Sequence, residues 1–298
     1  MATKLKKHSH KMLIFCLTAI LCFGCTEELN KILSNERMIE GLKEALKIGT
    51  QNAARTLGKE NGYYEDPTVF IDLPPEAATA MKVTGVISEI AGNPLAKTLI
   101  QALEKNDINL SIFSSDLSGN LISAFNRGAE KAAPKAVDIF VSAITGMKID
   151  DGKKILFSEN NYAARDYLQT TTSESLTTAF SPVINGTIKE INISIGGESY
   201  DALGAWSFYA EQNNKLEKLV KSKEVGLILD GLNLFLPEQV KTIRSIKEIN
   251  TDLGGHVVGK AMDGIFLKIG GEEQKIRTDV NARVNDLLRE VFGQLDNQ

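Results

Sequence analysis

Apolar residues recur at intervals of three and four along most of this chain, the spacing that gathers them on one face of an α-helix. From Asn35 to Leu57 the stripe is Met38, Ile39, Leu42, Ala45, Leu46, Ala53 and Leu57, and Gly58 follows as a stop. Pro75 suits the first turn of a helix running to Ala91, which Gly92-Asn93-Pro94 ends; a shorter helix covers Leu95–Glu104. Between Ser115 and Gly146 the helical pattern contains Pro134. Proline breaks a helix interior but fits a first turn, so two helices meeting at Pro134 are expected. Short helices follow over Asp150–Phe157 and Tyr162–Leu168. Thr171-x-x-Glu174 then reads as a capping box that opens a helix through Leu176, Phe180 and Ile184. The chain finishes with helices over Val257–Arg277 and Val280–Phe292.

Three stretches depart from that period. Val69, Ile71 and Leu73 alternate between Pro67 and Pro74-Pro75 with no evident partner strand, which predicts an extended strap near 66–74. Ile191–Gly255 holds Gly196-Gly197, the lone Trp206, a charged helix NNKLEKLVKSKE and a helix from Pro237 to Ile249. Within it the apolar run Val225–Leu236 is too short to span a bilayer and contains Asp230, so it reads as a buried hairpin or a membrane-facing patch, burial being preferred. The fold class that results is all-α in the main: a multi-helix bundle with a strap near 66–74 and a small β-hairpin within 191–236. No internal repeat or low-complexity linker interrupts it.

The apolar stretch at the start has a different character. Lys4, Lys6, Lys7 and Lys11 precede Met12–Gly24, thirteen mostly apolar residues, and Cys25 and a polar TEE follow. At 1.5 Å per residue the stretch reaches roughly 20 Å, short of the ~30 Å hydrocarbon core. Basic, short apolar, small residue and cysteine in that order is the layout of a lipoprotein export signal. Gly24 and Cys25 fit it; Phe23 and Cys22 fit it poorly. The expected organisation is a signal peptide at 1–24, lipid on Cys25, a tether at 25–33 and a single helical domain at 34–293. This places the protein in the cell envelope, on the periplasmic side of a membrane, with the outer membrane preferred.

Composition removes several kinds of chemistry from the mature chain. Cys16, Cys22 and Cys25 all lie at or before the expected cleavage point, so no disulfide framework, thiol nucleophile or thiolate metal site is available beyond it. His8 and His10 leave with the signal. His256 alone cannot build a multi-histidine metal site, and no metal or cofactor is expected. Without the four leading lysines, 30 basic residues face 38 acidic ones, a net charge of −8 that argues against nucleic acid or an anionic membrane surface as the main partner.

Candidate chemistry is correspondingly thin. Gly254–Ala261 fits G-x-x-x-x-G-K, the phosphate-cradling loop, but Ala261 replaces the hydroxyl residue and no buried strand precedes it; Gly254-Gly255 reads instead as the opening of the last long helix. No serine has the setting that activates a hydroxyl. Asp150-Asp151, Glu198/Asp201 and Glu272-Glu273 are available carboxylate pairs, with a helix N-terminus, a turn and a solvated face as their plainer readings. No catalytic residue is assigned. Arg127 and Glu130 at i, i+3, Glu273 and Arg277 at i, i+4, and Arg283 near Asp286 can pair on helix faces. Salt bridges joining helices are the favoured reading, and a polar groove lined by Arg127, Glu130, Glu273, Arg277 and Arg283 is the functional alternative.

Four ordered blocks carry a resemblance: GLKEALKIGTQNA (41–53), NRGAEKAAPKAVDIFVSAITGM (126–147), ARDYLQTTTSESLTTAFSPV (164–183) and KAMDGIFLKIGGEEQKIRTDVNARVNDLLREVFG (260–293). Together they resemble domain-of-unknown-function family 4197 (DUF4197), helical bacterial proteins that often carry an export or lipoprotein signal. The resemblance implies a helical fold and export, and supplies no activity, cofactor or catalytic residue. Ile191–Gly255 departs from it as a variable insertion, and Gly270-Gly271 stands where bulkier residues are expected, a potential kink. The functional expectation is a non-enzymatic binding or structural module, anchored to the membrane by lipid on Cys25, with an envelope protein or a small apolar ligand as partner. The alternative is a hydrolase using a carboxylate pair, which requires two carboxylates converging in a pocket.

Overall fold

The computed structural model describes residues 35–114, 117–250 and 252–295; the expected signal, Cys25 and the whole tether lie outside them. Helix α1 covers 35–57. It is followed by α2 (Pro75–Ile90), α3 (Lys97–Lys105), α4 (Leu117–Ala132), α5 (Ala136–Gly146), α6 (Ile149–Leu156) and α7 (Ala163–Lys189). Strands β1 (Asn192–Ile195) and β2 (Glu198–Asp201) come next, then α8 (Ala202–Val220), α9 (Lys223–Leu232), α10 (Pro237–Arg244), α11 (Leu253–Thr278) and α12 (Asp286–Leu295). The protein is mostly α-helical with one small hairpin, as the periodicity predicts. Its residues group into two compact units. Among the described residues, the first holds 35–50, 140–170 and 270–295, and the second holds Gln51–Ile139 and Thr171–Ile269.

The first unit buries Leu42, Leu46, Phe140, Ile144, Leu156, Leu168, Leu288 and Val291. Two glycines set how closely its helices approach. A Cβ on Gly41 would lie 2.6 Å from Val291 Cγ2, and one on Gly152 would lie 2.8 Å from Ile39 Cδ1. Gly270 leaves room for the Tyr162 ring, whose Cδ1 a Cβ would meet at 3.1 Å. Gly271 has open space around it, and α11 runs on through both glycines.

In the second unit α10 packs on α2, α9 on α3 and α8 on α4, around Leu57, Phe125, Phe180, Trp206, Leu229 and Ile265. Pro134 lies in a 3₁₀ turn, Ala133–Lys135, between α4 and α5, so the two-helix expectation holds there. The hairpin pairs Asn192 with Asp201 through Ile195 with Glu198. Gly196 (φ +61°) and Gly197 (φ +92°) make its two-residue turn, a conformation that favours glycine. Asp201 then caps α8, its Oδ1 accepting the Gly204 N–H at 2.7 Å.

Four sequence expectations are corrected. Tyr162–Leu168 and the segment after Thr171 belong to one 27-residue helix, α7, and Thr171 caps nothing. The hydroxyls of Thr170, Thr177, Thr178, Ser181 and Thr187 donate to carbonyls four residues earlier, so this polar run satisfies itself inside the helix. Val225–Leu236 is neither a hairpin nor fully buried: Ser222 caps α9, which buries Val225, Leu229 and Leu232 and leaves Leu227, Leu234 and Phe235 exposed. Helix α10 stops at Arg244, because side chains of α8 take over the backbone groups of 247–250. Asn213 Nδ2 donates to Lys247 O at 2.8 Å. Asn214 binds Ile249 from both sides (Nδ2 to O at 3.1 Å, N to Oδ1 at 3.0 Å), and Trp206 Nε1 donates to Asn250 O at 3.3 Å. Finally, the helix expected over Val280–Phe292 is a 3₁₀ turn at Val280–Ala282 followed by α12.

Gly41→Ala is expected to destabilise the protein by about 1–3 kcal/mol through overpacking against Val291. Gly85→Ala, mid-helix in α2 with open space around it, should gain up to about 1 kcal/mol. Urea unfolding of both variants gives the comparison.

Candidate functional site

The five candidate charges fall into two clusters, one in each unit. In the first unit, Glu273 projects from the last turns of α11 and is buried. Its Oε1 accepts the Ala164 N–H at 3.0 Å and its Oε2 the Arg165 N–H at 2.9 Å. Those are two of the first N–H groups of α7, which have no partner within their own helix. The carboxylate therefore acts as a cap supplied from another helix, and its negative charge suits the positive end of the helix dipole. Arg277, one turn further along α11, donates Nε and Nη2 to Glu273 Oε1 at 3.1 and 2.9 Å. The same guanidinium reaches the last carbonyls of α6, Ile155 O at 2.8 Å and Leu156 O at 3.3 Å. Arg283, 2% exposed, folds back to donate to Ile276 O and Arg277 O, both at 3.1 Å, at the C-terminal end of α11. The expected Arg283–Asp286 pairing is corrected here. Asp286 pairs with Arg289 at 3.1 Å and its side chain is fully exposed, whereas Arg283 is turned inward to carbonyls.

In the second unit, Glu130 and Arg127 on α4 hold the chain that enters the strap. Glu130 Oε1 accepts the N–H groups of Tyr63 and Tyr64, each at 3.2 Å, and Oε2 meets Arg127 Nη1 at 2.6 Å. Arg127 Nη2 donates to Asn61 Oδ1 at 2.6 Å, fixing a residue with positive φ (+64°), and the guanidinium lies 5.9 Å from the centre of the Tyr64 ring. The rest of the strap is pinned by groups that the spacing argument missed. Asn126, buried on the same helix, accepts Ile71 N–H and donates to Ile71 O, both at 2.9 Å. The Tyr63 hydroxyl, its pKa pushed upward by burial and by Glu130, donates to Ala261 O at 2.7 Å. Lys268 of α11 pairs with Asp66, and Thr68 Oγ1 donates to the same carboxylate at 2.6 Å. These bonds pull the Asp66 pKa down to about 2. An asparagine interrupting the apolar face of α4 was the available signal for Asn126; Asp66 and Lys268, some 200 residues apart, gave none.

Four of the six carboxylates in the candidate pairs have structural uses, while Asp150 lies in the first turn of α6 and Glu198 is exposed at the start of β2. Asp151 lies in the first turn of α6 and pairs with Lys154 at 3.9 Å. Asp201 caps α8, Glu272 pairs with Lys275 at 2.8 Å, and Glu273 caps α7. Gly254–Ala261 forms the opening turns of α11, and Asp252 Oδ1 accepts the Gly255 N–H at 2.9 Å. That segment is a helix and not a phosphate loop. In the second unit an open groove of about 340 Å³ is lined by Gln51, Ala54, Arg55, Pro134 and Val137, without a carboxylate. Among the described residues no group of three or more His, Cys, Asp or Glu is placed to hold a metal, and no helix is long and apolar enough to cross a membrane.

This geometry defines a helical scaffold whose buried charges serve its own backbone. The protein of unknown function family DUF4197 matches residues 32–106, 101–246 and 234–293, and the chain belongs to that family. The matched segments run through 191–255 as well as the helical blocks on either side. No curated protein and no solved structure matches the chain.

Glu273→Gln should cost about 3–5 kcal/mol, because the amide nitrogen would turn an N–H toward donors that need an acceptor. Glu290→Gln, which removes an exposed partner of Arg37, should leave the urea midpoint nearly unchanged. Asp66 sets a second expectation. Its folded pKa lies below the usual 3.8, so its contribution is complete above about pH 4 and is lost as pH falls through about 2. Solvent screening holds that contribution near 1 kcal/mol. Asp66→Asn should therefore narrow the stability gap to wild type as pH falls from 5 to 2, read by urea midpoints across that range.

Proposed function

We propose that this DUF4197 protein is an exported, lipid-anchored envelope module with a binding or structural role and no catalysis of its own, and that it is held on the periplasmic side of the outer membrane by lipid on Cys25. The observation that carries the non-catalytic part is the commitment of the charged side chains. Glu130, Glu273, Arg277 and Arg283 are each engaged with backbone groups, Glu130 also with Arg127 and Glu273 with Arg277, and Asp201 and Asp252 serve as helix caps. A catalytic carboxylate needs a free face toward a substrate and a proton to exchange. The groove lined by Gln51, Ala54, Arg55, Pro134 and Val137 is of a volume suited to a small, largely apolar ligand. The net charge of −8 on the mature chain supports a protein or apolar partner over nucleic acid. The basic, apolar and Cys25 sequence at the start supports the anchor.

Two measurements test this reading. Cys25→Ala should leave the membrane fraction, and wild-type protein should carry acyl mass on Cys25; a wild-type peptide without that mass ends the anchor reading. Crosslinking in intact cells followed by mass spectrometry should return a reproducible envelope partner. Recovery of the protein alone, together with turnover in a hydrolase screen, would reverse the non-enzymatic reading.

A further inference from the structure

Helix α9 and the turn after it expose three large apolar side chains within nine residues, Leu227 (64% exposed) in the middle of the helix and Leu234 (79%) and Phe235 (64%) in the turn. We propose that this tip is a bilayer-docking site whose occupant is the lipid surface of the membrane to which Cys25 tethers the protein, an inference that rests on the anchored reading above.

Four observations favour lipid. First, these side chains stand on the outward face of α9 and in the turn that follows it while Val225, Leu229 and Leu232 fill the inward face, so the exposed face is apolar where the buried face is already packed. Second, its backbone is prepared for low polarity. The N–H groups of Asn233, Leu234, Phe235 and Leu236 donate to Leu229 O, Gly231 O and Leu232 O at 2.8–3.4 Å, which removes the penalty of carrying open donors out of water. Third, Val225–Pro237 contains one ionisable side chain, Asp230, and Arg244 neutralises it at 2.6 Å. A tip without net charge suits the neutral, apolar boundary of a bilayer and fits an acidic chain that anionic headgroups would repel. Fourth, residues 26–34 separate Cys25 from α1 by a contour of no more than about 30 Å, so the anchor keeps the protein beside the bilayer, where a weak apolar contact is sufficient.

The cysteine distribution supplies the test. Cys16 and Cys22 leave with the signal and Cys25 is blocked by lipid, so Leu234→Cys gives a single labelling site in the processed full-length protein. An environment-sensitive fluorophore at position 234, with the protein in phosphatidylcholine vesicles, should shift to the blue. Nitroxide-bearing lipid should quench it about twofold or more, as insertion of several ångströms requires. The same label on the hairpin, at Glu198→Cys, should stay in water. Adding Leu227→Ser and Phe235→Ser should remove most of the quench at 234. Acylated, vesicle-bound protein whose label at 234 stays aqueous overturns the proposal while leaving the anchor standing. A blue shift that grows with protein concentration in the absence of vesicles also overturns it, and assigns the tip to a second copy of the chain. Absence of acyl mass on Cys25 in the same sample identifies the anchor reading as the part that failed, and removes this inference with it.

Discussion

The Glu273 carboxylate carries the constraint on which the first unit depends: helix ends brought into a core must find partners for backbone groups that the helix itself cannot pair. One side chain accepts two such N–H groups from the start of α7 and is held in place by Arg277, whose remaining donors satisfy the end of α6. Arg283 closes the end of α11 in the same way. Each charge is matched to the sign of the helix end it meets, acid at an N-terminus and guanidinium at C-termini. Burying an ion pair is expensive unless its remaining hydrogen-bonding capacity is used, and here the backbone uses it.

The second unit meets the same constraint with neutral groups as well as charged ones. Asn126 and Asn214 each offer a carbonyl and an amide to a single residue of irregular chain, Ile71 and Ile249, and so imitate a neighbouring strand. An amide gives both halves of that bond without the desolvation cost of a charge. Glu130 appears where two consecutive N–H groups point the same way and an acceptor-only side chain is needed. The strap is ordered because every turn of it is tied to α4 or α11, although it lacks a strand partner.

This explains which parts of the fold could be read from the sequence. Pro75, Pro134 and Gly196-Gly197 act through local backbone geometry, so their neighbours alone predict their effect. The Ser/Thr run of α7 misleads for a local reason too: a hydroxyl that can cap a helix can equally bond back four residues into one, and only the surrounding packing chooses. The pairings of Arg127 with Glu130 and Glu273 with Arg277 were legible as helical spacing. Their purpose was not, since the backbone they serve lies some 66 to 122 residues away. Val225–Leu236 shows the limit of composition. Hydrophobicity predicts that an apolar run seeks cover, and it does not say which side chains find it: Val225, Leu229 and Leu232 are buried, and Leu227, Leu234 and Phe235 are exposed.

In this fold the buried charges that look chemical are those most engaged with the backbone. A buried Arg or Glu in a sequence invites a catalytic reading, yet Glu273, Arg277 and Arg283 are each bonded to backbone groups at helix ends. Leu227, Leu234 and Phe235 are instead left exposed, and an apolar side chain in water forgoes the stabilisation that burial supplies. Their exposure beside a turn whose N–H groups at 233–236 are all paired sets this segment apart from the charged clusters, whose bonds are internal.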